Sequence, residues 1–438
     1  MKRTLTLIAF AAFASPALVS AQSAMSSVEP FKLGTFEIDG EGDKTIGIVL
    51  RDDLVVELDD ANRALEQSPD YPAIPMPEDM TELISRYDYG LKYRLYEIVN
   101  SVVNNDRLSG RNRADFVHDV DDIRTLPPLM PGKMLNAAVN FYTHVEEQNT
   151  PEGQRAAAEA RRSQRGIPYL FIKPVEGAVI GQGDSVVIPH GRDRIEWEVE
   201  LATVIGRTAK YVSADNAQDY IFGYMVSLDI SDRGGRPPNS RPGSDWLVGK
   251  GHDTFAPLGP WIVPKEFYGD PMENLHQQLT IDGVTVQEAT AGDMIHSLWE
   301  LIEYGSSIVT LYPGDVLNSG TSGGTSSGAF VQGTRSGFLQ PGEVIEASIE
   351  GVGTIRMPVV AGEPLPDDLS GIREGIERRV PFSAGRYNKD HTSIAEERVG
   401  TMEEDARELR SGEHRILGND EINPLFTSND DDVEIEKY

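Results

Sequence analysis

The chain has no cysteine among its 438 residues. Disulfides, thiolate nucleophiles and Cys-ligated zinc are therefore excluded, whatever the compartment. Basic residues are also scarce: 40 Lys and Arg stand against 70 Asp and Glu, a formal net charge of −30. That balance disfavours nucleic acid and anionic membranes as partners, and an anionic substrate needs a locally basic pocket. Long apolar runs are missing too, apart from one near the N-terminus that is too short to span a bilayer comfortably. It belongs to MKRTLTLIAFAAFASPALVSAQ, where Lys2 and Arg3 precede the apolar stretch and Val19-Ser20-Ala21 offers a small-residue cleavage site. Residues 1–21 read as a secretory signal, cleaved after Ala21 to leave an exported, periplasmic or secreted protein. Cleavage removes two basic residues and no acidic ones, taking the mature charge to −32. A retained N-terminal anchor is the alternative.

What the chain does have is the stretch IEWEVELATVI, Ile195 to Ile205. Its β-branched content predicts a buried strand. Successive side chains point to opposite faces, so Glu196, Glu198 and Glu200 share one face while Trp197, Val199 and Leu201 fill the other. Carboxylates two apart lie roughly 7 Å apart along a strand. Two of them can converge on one hard cation if a third oxygen donor arrives from a neighbouring strand. Uncompensated, three like charges on an apolar element repel one another and lose hydration. Spacing alone leaves open an edge strand with a solvated acidic face.

Around this stretch the pattern is strand-rich. GTFEID, TIGIVL and LVVEL predict three strands separated by turns, and a helix follows over Met80–Val103, with Leu83, Tyr87, Leu91, Leu95, Ile98 and Val102 at helical spacing. These elements predict a small N-terminal α+β domain, residues 22–126, with Pro127-Pro128 and Pro131-Gly132 punctuating its end. From 127 to 364 come many short strands: KMLNAAVN breaking into a helical segment, PYLFIKP, SVVIP, YIFGYMVSLDIS, the hairpin LTIDGVTVQ, then VIEASIE and GTIRMPVV. An amphipathic helix is predicted over Met294–Val309, and Gly-rich loops over Gly234–Gly243 and Asn318–Gly328. That pattern predicts an α+β, β-rich fold with a closed or rolled sheet rather than a doubly wound one. Residues 365–438 form a charged extension whose acidic end predicts disorder.

Six blocks in order, NFYTHVEE, FIKP, EWEVELATVIG, GYMVSLDISDRG, GKGHDTFAPLGPWIV and LYPGDVLNSGTSGG, resemble the fumarylacetoacetate hydrolase family over roughly residues 133–360. The resemblance implies a rolled, mostly antiparallel mixed β-sheet core, a homodimer, and chemistry on small oxo acids at a divalent metal, usually magnesium. It places the metal ligands at Glu198, Glu200 and Asp229 and leaves Glu196 as a non-ligating acid. Three carboxylates suit a hard cation, and manganese or calcium remain alternatives to magnesium. It also implies a catalytic dyad of His144 and Glu147, a lysine, Lys250, facing the developing enolate or a substrate carboxylate, and substrate contacts from Arg233, Arg236, Gly320 and Thr321. A surface His–Glu pair, a solvated loop lysine and a plain glycine turn are the competing readings of these residues.

Three departures stand out. The family's DVSARD becomes DISDRG, adding Asp232; a glutamine is replaced by Arg236; and Ser-Phe after the lysine becomes Gly251-His252, a second titratable group expected near the pocket. The leading expectation is an exported hydrolase cleaving a carbon–carbon bond of a β-diketone or acylpyruvate-like acid. An isomerase, decarboxylase or dehydratase at the same metal is the first alternative, and a non-catalytic, metal-stabilised scaffold the second. The scaffold differs from both enzyme readings in whether the His144–Glu147 helix packs over the metal as a lid or points away.

Overall fold

The structure, a computed structural model, describes residues 28–38, 40, 42–147, 151–234, 245–326, 328 and 337–364. The expected signal sequence, the charged extension after 364 and Arg236 lie outside the described residues.

The N-terminal part contains β1 (Phe31–Glu37), β2 (Lys44–Leu50), β3 (Leu54–Glu57), α1 (Leu58–Leu65), α2 (Met80–Arg86), α3 (Lys92–Asn104), β4 (Val117–Asp119) and β5 (Arg124–Leu126). The helix expected over Met80–Val103 is two helices, joined by a π-helical turn at Tyr87–Leu91 in which Gly90 takes φ +118°. A residue without a Cβ permits that conformation and interrupts the helical run.

Then follow β6 (Met134–Ala137), α4 (Tyr142–Glu147), α5 (Pro151–Ser163), β7 (Leu170–Ile172), β8 (Val179–Ile180), β9 (Val186–Ile188), β10 (Ile195–Glu196), β11 (Val199–Ile205), β12 (Ile221–Leu228), β13 (Ser231–Asp232) and α6 (Trp246–Lys250). The last group is β14 (Ala256–Pro264), α7 (Lys265–Tyr268), α8 (Pro271–Asn274), β15 (His276–Ile281), β16 (Val284–Thr290), α9 (Leu298–Ile308), β17 (Val316–Asn318), β18 (Val344–Ile349) and β19 (Gly353–Ala361). Asp282 and Gly283, both at positive φ, make the expected hairpin turn between β15 and β16. Helix α9 starts at Leu298 rather than at Met294, because Ser297 caps it and forms a capping box with Glu300.

Twelve strands form one sheet with the path β4-β3-β2-β1-β14-β12-β11-β17-β6-β7, and five form a second, β16-β15-β18-β19-β9. Pairing is antiparallel except for β8 with β14, β6 with β17 and β9 with β19. The fold is thus the β-rich, mostly antiparallel α+β arrangement expected from the sequence.

Strands β11 and β12 are buried along their whole length, which explains their continuous apolar character. Leu201, Ile205, Val226 and Leu228 pack with Leu279, Ile281, Ala347 and Ile355 from the smaller sheet. Ala202, Val204 and Met225, on the other face, pack with Leu83, Leu95 and Val99 from the N-terminal helices. Two cores therefore clamp the strand that carries the acidic residues.

That strand is not continuous. Glu196 pairs opposite Ser231 and Val199 opposite Leu228, so one antiparallel register crosses the gap at Trp197–Glu198 without a shift. In that register Glu198 stands opposite Asp229. Like charges directly opposite each other destabilise a ladder unless a cation compensates them.

Candidate metal centre and active site

Glu200 lies in β11, Glu198 just before it and Asp229 just after β12. The amide N–H of Asp229 donates to the Glu198 carbonyl at 2.9 Å, which holds the two segments together at the break. One carboxylate oxygen from each of Glu198, Glu200 and Asp229 lies within 4.8 Å of the others, and all three residues are buried. Glu196, also buried, instead pairs with Arg233.

Charges of one sign this close, at most 3% exposed, demand compensation. Lys250, at the end of α6, donates from Nζ to Glu198 Oε2 at 2.9 Å, Asp229 Oδ2 at 2.6 Å and Ser231 Oγ at 2.6 Å. Lys173, just past β7, pairs with Asp229 and donates to the Ile230 carbonyl at 2.9 Å. Arg233 pairs with Glu198 as well as Glu196. Burial works against the Lys250 ammonium, but Asp229 and Glu198 hold its pKa above the ordinary lysine value. For Lys173 burial wins over Asp229, and its pKa is lowered.

Glu200 accepts a hydrogen bond from the Gly320 amide at 2.8 Å. Burial, then the charges of Asp229 and Glu198, push its carboxyl well above the usual range, and Lys250 and the Gly320 amide only partly offset this. The donor set therefore fits a divalent cation. It is buried and all oxygen, and one of its members lacks the positive charge that would keep it ionised.

Helix α4 brings the second group. His144 Nδ1 lies 2.5 Å from Glu147 Oε1, and both residues are buried. Burial opposes the imidazolium, but Glu147, helped by Glu198, holds the His144 pKa above 6.5. Glu147 also accepts from the Gly324 amide at 2.6 Å, the Thr325 amide at 3.2 Å and the Thr325 hydroxyl at 2.8 Å. The loop that meets Glu147 through Gly324 and Thr325 also carries Gly320, whose amide faces Glu200, so α4 and the carboxylates are joined through one loop. Asn140, just before the helix, donates to the Ser319 carbonyl at 2.8 Å and the His296 carbonyl at 3.0 Å. The helix and the Gly-rich loop are thus fastened at both ends.

Gly320 sits at φ +81°, and a Cβ there would lie 2.8 Å from Asn140 Cβ and 2.9 Å from the Ala137 carbonyl. Only glycine fits. Its amide faces Glu200, and the Thr321 hydroxyl donates to the Val199 carbonyl at 3.0 Å. Both residues expected at the substrate therefore engage the ligand strand.

A family model described as "Fumarylacetoacetate (FAA) hydrolase C-terminal" matches residues 133–360. The chain belongs to the fumarylacetoacetate hydrolase family. The 2,4-didehydro-3-deoxy-L-rhamnonate hydrolase of Sphingomonas sp. (strain SKA58) is 35% identical over 240 residues, covering 55% of this chain and 77% of that protein. The mitochondrial oxaloacetate tautomerase FAHD2A of Bos taurus is 35% identical over 234 residues, covering 53% and 68%. Among solved structures, maleylpyruvate hydrolase from Sphingobium sp. SYK-6 aligns with a TM-score of 0.54 at 25% identity, covering 76% of this chain and 100% of that one.

Two departures from the fumarylacetoacetate hydrolase pattern meet in this structure. His252 Nε2 lies 3.1 Å from Asp232 Oδ2, and Asp232 also pairs with Arg192. Burial opposes the Asp232 charge, but His252 and Arg192 hold its carboxyl below the usual range. Asp232 thus faces His252 and Arg192, while Ser231 and Arg233 on either side of it engage Lys250 and the glutamates. Lys173 is the residue that sequence reasoning missed. Its signal was there in FIKP, because a lysine ending an apolar strand is buried only when paired.

Proposed function

We propose that this member of the fumarylacetoacetate hydrolase family hydrolyses a carbon–carbon bond of a β-diketone or acylpyruvate-like acid, with magnesium held by Glu198, Glu200 and Asp229. Manganese or calcium are the alternative ions. The observation that carries the reading is the buried His144–Glu147 pair, fastened to the same loop whose Gly320 amide faces Glu200, since a metal-stabilised scaffold has no use for an oriented base there. A divalent ion in that cluster supplies Lewis-acid stabilisation for the enolate that carbon–carbon cleavage generates.

The chain's own residues supply the rest. Glu147 accepts from Nδ1–H of His144, which leaves the basic lone pair on Nε2. His144 takes a proton from water as the water oxygen bonds to the distal carbonyl carbon, and the Glu147 carboxylate stabilises the imidazolium. Collapse of the adduct breaks the carbon–carbon bond and leaves its electron pair as an enolate beside the Lys250 ammonium. His144 returns the proton to the enolate carbon. Arg233 and Arg236 hold the substrate carboxylate against the acidic surroundings.

The names of two relatives, hydrolases of maleylpyruvate and of 2,4-didehydro-3-deoxy-L-rhamnonate, support hydrolysis. The tautomerase relative supports the second reading, proton transfer without cleavage. Product analysis on a panel of 1,3-diketo acids and 3-deoxy-2-oxo acids separates the two. Hydrolysis gives two fragments, and His144→Ala abolishes it with metal binding retained. Isomerised substrate without fragments, or unchanged turnover in the variant, rejects the hydrolase. We also propose export, supported by the pattern of residues 1–21. A mature N-terminus at Gln22 is the expected result, and retention of Met1 rejects cleavage.

A further inference from the structure

We propose that Gln287 is a positioning residue for the metal centre, tying the strand that carries Glu198 and Glu200 to the loop that carries Gly320. The proposal rests on the metal reading above.

Gln287 lies in β16, in the smaller sheet and not in the sheet that carries the ligands. That strand is largely solvent-facing, yet Gln287 is 1% exposed while Val286 and Glu288 on either side are not buried. A buried carboxamide is costly unless its donors and acceptor are all used. Here they are. Gln287 Oε1 accepts from the Val199 amide at 3.0 Å, and Nε2 donates to the Thr321 hydroxyl at 2.8 Å and the Ser322 carbonyl at 2.9 Å.

Val199 stands between two of the metal ligands, Glu198 and Glu200. Along the same edge of β11, Leu201 is paired with Ser319: the Ser319 amide donates to the Leu201 carbonyl and the Leu201 amide to the Ser319 hydroxyl, each at 3.0 Å. Strand β17 has ended at Asn318, so no strand remains to pair with Val199. Gln287 serves its amide, and the Thr321 hydroxyl its carbonyl at 3.0 Å. A side chain from another sheet thus stands in for the missing rung, which frees the loop to leave the sheet and aim the Gly320 amide at Glu200, 2.8 Å away. The loop lies directly on β16: a Cβ on Gly324 would be 1.9 Å from the Val286 carbonyl.

The chemistry needs a group with an acceptor on one side and a two-proton donor on the other. Glutamate keeps the acceptor but turns an oxygen toward the Ser322 carbonyl, and methionine keeps only the volume. Gln277 provides the control. It is equally buried, on the paired strand β15, and donates to the Val199 carbonyl at 3.3 Å without reaching the loop.

Isothermal titration of Mg²⁺ and Mn²⁺ into the full mature chain tests the idea on wild type, Gln287→Glu, Gln287→Met and Gln277→Met. Loss of a group that orients ligands from behind weakens metal binding by about 10- to 100-fold, and both Gln287 variants should fall in that range, with Gln277→Met within about twofold of wild type. Equal binding in the Gln287 variants and wild type overturns the proposal while leaving the metal centre standing. Equal weakening by Gln277→Met also overturns it, because it marks a packing effect. If Gln287→Met does not fold, Gln287→Glu decides alone, since it retains the volume and the Val199 bond. No binding in wild type removes the metal reading and this proposal together.

Discussion

Glu147→Gln probes the dyad most sharply, because each carboxylate oxygen already has two partners. Oε1 faces His144 Nδ1 and the Thr325 hydroxyl, and Oε2 faces the Gly324 and Thr325 amides. Replacing one oxygen with NH₂ forces a choice. If the remaining oxygen stays at His144, the new amide meets two backbone N–H donors. Two hydrogen bonds to a charged acceptor are lost, at about 1.5–3 kcal/mol each, or about 3–6 kcal/mol in all. If the oxygen turns to the loop instead, the amide donates to Nδ1 and the imidazole proton moves to Nε2, where the base is needed. Loss of a general base lowers kcat by about 10²–10⁴, equivalent to about 3–5 kcal/mol of barrier. A urea unfolding midpoint reads the first loss and kcat at saturating substrate reads the second. A variant with stability within about 0.5 kcal/mol and kcat within about threefold of wild type would refute the reasoning.

Burial opposes a charged His144 but Glu147 and Glu198 override it, so in the metal-free protein the His144 imidazole should titrate above the ordinary histidine value when followed by NMR; titration at or below that value contradicts the pairing. The same raised pKa stabilises the fold below the unfolded histidine value and is lost as pH rises through the folded one, so His144→Gln should cost more stability at about pH 5 than at about pH 9. Lys173→Met removes one partner of a buried pair, which costs about 3–5 kcal/mol. Saturating metal should recover most of the lost melting temperature by taking over the charge of Asp229, and an equal loss with and without metal would contradict this. Gly320→Ala places a Cβ at φ +81° against Asn140 and Ala137, a strain of about 1–3 kcal/mol. It should lower the unfolding midpoint and weaken metal binding, and a neutral result in both measurements counts against the close approach.

Much of the frame was legible because it depends on local period. Alternation put Glu198 and Glu200 on one face, the Asp282-Gly283 pair marked the hairpin, and continuous apolar runs marked the doubly buried strands β11 and β12. The meeting of Glu198 and Asp229 was not legible, since it depends on the register in which two strands pair. Nor was the pairing of Lys173 with Asp229, 56 residues away, because a buried ion pair over that separation leaves no periodic trace. His252 and Asp232 each showed as a departure, but only the fold reveals that they face each other. Gln287 gave no signal at all, for a glutamine on a mostly exposed strand looks like any surface residue.

The central claim is a divalent ion held by Glu198, Glu200 and Asp229. Titration of Mg²⁺ and Mn²⁺ into the mature protein and its Asp229→Ala variant, followed by calorimetry and melting temperature, tests it directly. Saturable binding and a raised melting temperature are expected in the wild type, both lost in the variant. No binding in either protein, or equal binding in both, would leave the three carboxylates as a buried acidic cluster compensated by Lys173, Lys250 and Arg233 alone.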